Sequence, residues 1–295
     1  MASTCETHNS NQLIEKQLDI RSNDVEKSFS ADVISYLGPI IRPTDDLLKD
    51  TIEGIKARRK HLIIILETDG GYAEVAQRMA DTFRFHYELV DFIIPNYAMS
   101  AGTILAMSGD SIYMDYYSVL GPIDPQIQNP NGKGLIPALG YLIQYDKFLK
   151  KAETGKLNTA EMAFFINKFN PAELYRYEQE RELSVKLLKE WLVKYKFKNW
   201  SETETRKIPV TPAMKTKAAE EIARKLNDTD RWHSHGIGIS METLRKDLNL
   251  KIEDFQKNPK VNTQIKYYYK LLKDYMMRRD HKIVIHTKKE YIGFE

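Results

Sequence analysis

The stretch HLIIILET (61–68) holds five consecutive aliphatic residues. A run this short, with no polar alternation, suits a strand covered on both faces, and such strands belong to parallel sheets flanked by helices. The surrounding sequence fits that demand. DVISYLG (32–38), LVDFIIP (89–95) and SIYMD (111–115) read as further strands. Between them lie helical stretches at 42–60, at 72–88 and from the turn at Ser100 to about Ser108. The first has Thr44 as a candidate cap, Asp45 and Asp46 at its positive end and Lys56, Arg58, Arg59 and Lys60 at its negative end. The second places Val75, Ala76, Met79 and Phe83 on one stripe.

Alternation of strand and helix implies right-handed crossovers and a mostly parallel sheet. Sites in such sheets form at the carboxyl ends of strands. Two unusual turns fall there. Asp69-Gly70-Gly71 follows strand 61–68, and Ala98-Met99-Ser100-Ala101-Gly102 follows strand 89–95. The second is a relaxed form of the small-x-Ser-x-small nucleophile elbow. A serine nucleophile needs a base and donors for the developing oxyanion, and the backbone N–H groups of Gly70 or Gly71 and of Ala101 could be those donors. The competing reading of Ser100 is a helix cap.

Composition narrows the function classes. Lys and Arg number 44 against 41 Asp and Glu, a net charge of +3 in 295 residues, which gives no argument for nucleic acid or anionic lipid. The single cysteine, Cys5, excludes a disulfide framework and a cysteine-based metal site. No apolar run approaches the roughly 20 residues of a membrane span, and the N-terminus lacks a signal-peptide core, so a cytoplasmic protein is expected. No metal or organic cofactor is implied.

The expected organisation is a loose polar arm over 1–30, an α/β core over 31–134 and a helical extension over 135–295 that completes the domain and makes oligomer contacts. The extension reads as helices at 135–155, 170–197, 211–227 and 259–279, with Asn170-Pro171 and Thr211-Pro212 as cap-then-proline starts, and a late strand at 281–287.

Three motifs together, ETDGGYAEVAQRMADTFR, AMSAGTILAMSGDSIYMD and SVLGPIDPQI, resemble the ClpP/crotonase superfamily. Within it they look like the group of signal peptide peptidase A and the serine dehydrogenase proteinases. The resemblance runs from about 32 to 127, and RWHSHGIGIS (231–240) is similar to the C-terminal part of the second type. It implies a ClpP/crotonase-like parallel sheet, Ser100 as nucleophile, Gly70, Gly71 and Ala101 around the oxyanion, a peptide or protein substrate, and a homo-oligomer. ClpP relatives place a histidine soon after the serine; here no histidine lies between Ser100 and His233. The signal peptide peptidase branch uses a lysine further along, where Lys151 is the first choice and Lys150, Lys147 and Lys156 are alternatives.

Other residues have plainer readings. His233 and His235 suit a docking turn, or a base supplied in trans. Asp124, between Pro122 and Pro125, suits a rigid turn. Asp69 is expected to hold its loop by Asx-type bonds, and Tyr267, Tyr268 and Tyr269 to form helix core or interface. Three function classes stay open: a serine peptidase, a crotonase-type acyl-CoA enzyme, and a non-catalytic assembly module.

Overall fold

The computed structural model describes residues 9–124, 126–128, 135–203, 207–232, 234 and 236–295. In chain order the elements are α1 (Ser10–Phe29), β1 (Asp32–Leu37), α2 (Thr44–Glu53), β2 (His61–Glu67), α3 (Ala73–His86), β3 (Leu89–Ile93), β4 (Tyr97–Ala98), α4 (Ala101–Ala106), β5 (Ser111–Met114) and β6 (Val119–Leu120). Then come β7 (Gln126–Gln128), β8 (Leu135–Pro137), α5 (Ala138–Glu153), α6 (Thr159–Lys168) and α7 (Pro171–Trp191), which continues as a π-helical turn, Leu192–Lys196. The rest is α8 (Pro212–Leu226), α9 (Thr229–Trp232), β9 (Ile239–Ser240), α10 (Met241–Lys246), β10 (Glu253–Asp254), α11 (Pro259–Arg278), β11 (Ile283–Thr287) and β12 (Glu290–Phe294).

The main sheet has the order β10-β5-β3-β2-β1-β11-β12. Its first five strands run parallel, and β11 and β12 join antiparallel beside β1. This is the mostly parallel α/β architecture that the aliphatic run of β2 demands. Ile64, Leu66, Tyr36 and Phe92 pack into a core with α2, α3, α4 and α7. Ile63, Ile65, Val33 and Ile93 point the other way, towards α1 and α11. Ile63, Ile64 and Ile65 are all 0% exposed, so both faces of β2 are dry. Each such side chain contributes roughly 1.5–3 kcal/mol. A second, small sheet, β4-β6-β9, stands at the carboxyl edge beside the Ser100 turn. Among the described residues no helix is long and apolar enough to cross a membrane.

Several elements differ from the pattern. Within the expected loose arm, Ser10–Phe29 form helix α1, capped by a reciprocal Asn9–Gln12 box and packed through Leu18 and Val25, and residues 1–8 lie outside the described residues. Its buried face also carries Ser22 and Glu26, which dilute the apolar period that sequence reading relies on. Helix α2 stops at Glu53, before Gly54, and the Thr44 hydroxyl donates to the Ile41 carbonyl (2.5 Å) instead of capping. The stretch 135–155 begins as strand β8 before α5. Asn170 and Thr211 cap α7 and α8 as expected.

Candidate active site

The exits of β2 and β3 are zipped together. Thr68 N–H donates to Tyr97 O (3.2 Å) and Met99 N–H to Thr68 O (2.9 Å), a parallel bridge between Thr68 and Ala98. This brings the two special turns into contact. A Cβ on Gly70 (φ +105°) would lie 2.9 Å from Ser100 Cβ and 3.3 Å from Ala101 N, so only glycine fits against the serine.

Ser100 has φ +50° and ψ −117°. This is a strained backbone for a residue with a side chain, and it sits where a strand turns sharply into helix α4. Its side chain makes no capping bond to α4. The hydroxyl is therefore not spent as a helix cap. Behind it, α4 is buried throughout, and the Thr103 hydroxyl bridges Ala98 O (2.8 Å) and the backbone of Gly121 (2.9 Å). Gly102 lies against Thr68: an added Cβ would meet Thr68 Cγ2 at 2.3 Å.

The three expected oxyanion donors differ. Gly70 N–H donates to Thr68 Oγ1 (3.0 Å) and is occupied. Gly71 bridges Ile40 through the groups beside it, Ile40 N–H to Gly70 O (2.7 Å) and Tyr72 N–H to Ile40 O (2.9 Å). Its own N–H has no acceptor among the described residues, nor has that of Ala101. Gly71 is exposed. Thr68, not Asp69, closes the loop; Asp69 is exposed and lies near Tyr97. Burial, followed by the nearby carboxylates of Glu67 and Asp69, pushes the Tyr97 phenol up to about 12.

A polar cluster beside these turns escaped the sequence reading. Glu67, 2% exposed, accepts from Lys273 Nζ (2.5 Å), Asn96 Nδ2 (3.0 Å) and the Tyr269 hydroxyl. An acid closing a fully buried strand needs partners, which was the available signal, but nothing local names them.

The four candidate lysines lie elsewhere. Lys147, Lys150, Lys151 and Lys156 are all exposed, on α5 and the turn after it. Lys151 Nζ is ion-paired with Glu161 Oε1 at 2.7 Å. Asp124 is buried at 1% and partnered, and the residue before it is tied to α8 by Ile123 N–H to Leu226 O (3.1 Å); Pro125 lies outside the described residues. Tyr268 is fully buried and Tyr267 is 59% exposed. His233 and His235 lie outside the described residues.

Comparison with known proteins adds a family. Two uncharacterized proteins of Methanocaldococcus jannaschii are similar to the chain. MJ0137 is 34% identical over 97 residues, 31% of this chain and 34% of that protein. MJ1495 is 32% identical over 132 residues, 42% of this chain and 43% of that protein. The matches thus span less than half the length of these curated relatives. Among solved structures, the 1510-N membrane-bound stomatin-specific protease aligns at 15% identity over 75% of this chain and 76% of that one, with a TM-score of 0.42. ClpP1 from Listeria monocytogenes aligns at 13% identity over 82% of this chain and 95% of that one, with a TM-score of 0.40. The model of the ClpP-like SDH-type serine proteinases matches residues 41–206, more than half of the chain, and the chain belongs to that family.

Proposed function

We propose that the chain is a serine peptidase that cleaves peptide bonds through an acyl-enzyme on Ser100. The observation that carries this reading is the Ser100 turn: a strained elbow, a hydroxyl not used as a cap, and the free N–H groups of Gly71 and Ala101 on neighbouring segments. A base takes the Ser100 proton, Oγ attacks the scissile carbonyl, and the two N–H groups hold the oxyanion. The proton then passes to the leaving amine, and water hydrolyses the ester.

The base in this reading is a lysine of the 147–156 stretch, with Lys151 preferred from the family resemblance. A lysine acts as base only when neutral, which requires its removal from water. In the single chain these amines are solvated, and Lys151 is held by Glu161. The same helical pair exposes Leu149, Met162, Phe164 and Ile166, an apolar surface of the kind that a second copy of the chain would cover. Assembly into a homo-oligomer would then dry the lysine as well.

Fluorophosphonate labelling tests the reading. Ser100 should be modified in the wild type, and the folded Ser100→Ala chain should be neither labelled nor active on peptides. Activity should rise with pH to an alkaline plateau, and one of the four Lys→Met variants, Lys151→Met first, should be as dead as Ser100→Ala. Full activity in Ser100→Ala would remove the proposal. Four active lysine variants would remove the lysine base. The solvated lysines favour one second reading, a non-catalytic assembly module; an unlabelled wild type would support it.

A further inference from the structure

We propose that Glu67 is a positioning residue for the oxyanion loop, and that Lys273 and Tyr269 of α11 hold it in place; this rests on the serine-peptidase reading above. Glu67 ends β2, directly before Thr68, Asp69, Gly70 and Gly71. Its carboxylate accepts from Asn96, which leads into β4 and the Ser100 turn. Glu67 and Asn96 therefore tie the two strand exits on the face of the sheet that α11 covers. Thr68 and Gly102 pack together on the other. The backbone bridge of Thr68 and Ala98 runs between these two clamps.

The distances make this matter. An oxyanion donor works within a few tenths of an ångström of its target position. Gly71 and Ala101 are on different segments, so their mutual spacing is set by whatever fixes β2 against β4. Glu67 is buried while Lys273 is partly exposed, and an ion pair on a buried carboxylate is a weak way to stabilise a core, because apolar packing of equal volume would serve as well. Fixing one register of two polar segments is a better-attested use of such a pair. Lys273 and Tyr269 stand one helical turn apart and so share a face of α11. That helix is pinned by Ile265, Tyr268 and Leu272, all 0% exposed. The C-terminal helix thereby becomes a support of the site, although it holds none of the reacting groups.

The test is the rate of fluorophosphonate inactivation in the full chain, resolved into kinact and KI, beside a thermal melt of each variant. Glu67→Gln and Lys273→Met should lower kinact by about tenfold or more with KI little changed, because the loss falls on the transition state. Lys273→Arg, which keeps a cation at the carboxylate, should recover much of the rate. Tyr269→Phe, which removes one donor with little change of shape, should lower kinact by a few-fold and still melt cooperatively. It carries the test if Glu67→Gln does not fold. A labelled wild type whose folded variants react at the wild-type rate overturns this inference alone. So does a loss of rate that only follows the fraction unfolded, or an Lys273→Arg variant as slow as Lys273→Met. A wild type that is not labelled overturns the peptidase reading, and this inference with it.

Discussion

A methyl group on Gly71 would lie 2.1 Å from the carbonyl oxygen of Ile40 and 2.7 Å from its carbon, both backbone atoms that cannot swing aside. The residue also holds φ +148°, where an L side chain is strained. Gly71→Ala must push the loop away from Ile40 and carry the free N–H with it. If that N–H is an oxyanion donor, kcat should fall by about 100-fold, and the melting temperature should fall with it. A stable Gly71→Ala chain with unchanged turnover would make the loop a mere connection. The turns at Gly70–Gly71 and at Ser100 were legible in the sequence because small residues beside a strand exit constrain the backbone locally. Which glycine offers a free N–H was not legible, since it depends on Thr68 Oγ1 taking that of Gly70. Glu67 and its partners were illegible for a different reason: Tyr269 and Lys273 lie 202 and 206 residues away, and only the completed fold brings them together.

At the scale of elements, the long period of α7 read correctly as helix, yet its end does not remain α-helical. The π-helical turn Leu192–Lys196 sets Tyr195 under the Arg84 guanidinium, 3.8 Å from the ring centre. It also half-buries Lys196. Burial pulls this lysine down to about 8, against the attraction of Asp91, Glu253 and Asp110, with Lys251 adding to the burial effect. Below pH 8 the folded chain therefore bears a charge in a partly desolvated place. From about 8 to the ordinary 10.5 the unfolded chain binds more protons, so stability rises with pH across that window. Lys196→Met should raise stability at pH 7 and remove the alkaline rise. Urea midpoints at pH 7 and at about pH 10 check both; a destabilised variant, or one that keeps the rise, would show that Lys196 does not cause it. Helix α1 is the opposite case. The residues of its buried face, Leu18, Ser22, Val25 and Glu26, are half polar, so it read as loose. Its need for burial comes from Lys288 and β1, which take up the Glu26 carboxylate (2.7 Å and 3.4 Å).

At the scale of the molecule, the sheet is built from both ends of the chain. β10 closes one edge beside β5, and β11 slots between β1 and β12, so residues beyond 250 border strands read from the first 115. Antiparallel closure was not legible, because a short apolar strand carries no mark of its direction or its neighbour. His286, in β11 and 0% exposed, joins these parts. Its Nδ1 meets the Tyr268 hydroxyl of α11 at 2.6 Å, that hydroxyl meets Ser35 of β1 at 2.8 Å, and Nε2 faces Asp19 of α1 at 3.4 Å. Burial holds the imidazole below its ordinary 6.5, while Asp19 and Glu15 push the other way. With the folded value depressed, the unfolded chain binds more protons once pH falls below 6.5, so this histidine withdraws stability on acidification down through its folded value. Protonation would put a charge where β1, α1, α11 and β11 meet, and the loss should be felt by the whole sheet at once. His286→Gln, which keeps a hydrogen-bonding side chain without titrating, should flatten the fall in urea midpoint between pH 7 and about pH 5 while unfolding remains a single transition. An equally steep acid loss in that variant would move the cause to other groups, and a second, separate transition would mean that the β11–β12 edge unfolds independently of the core.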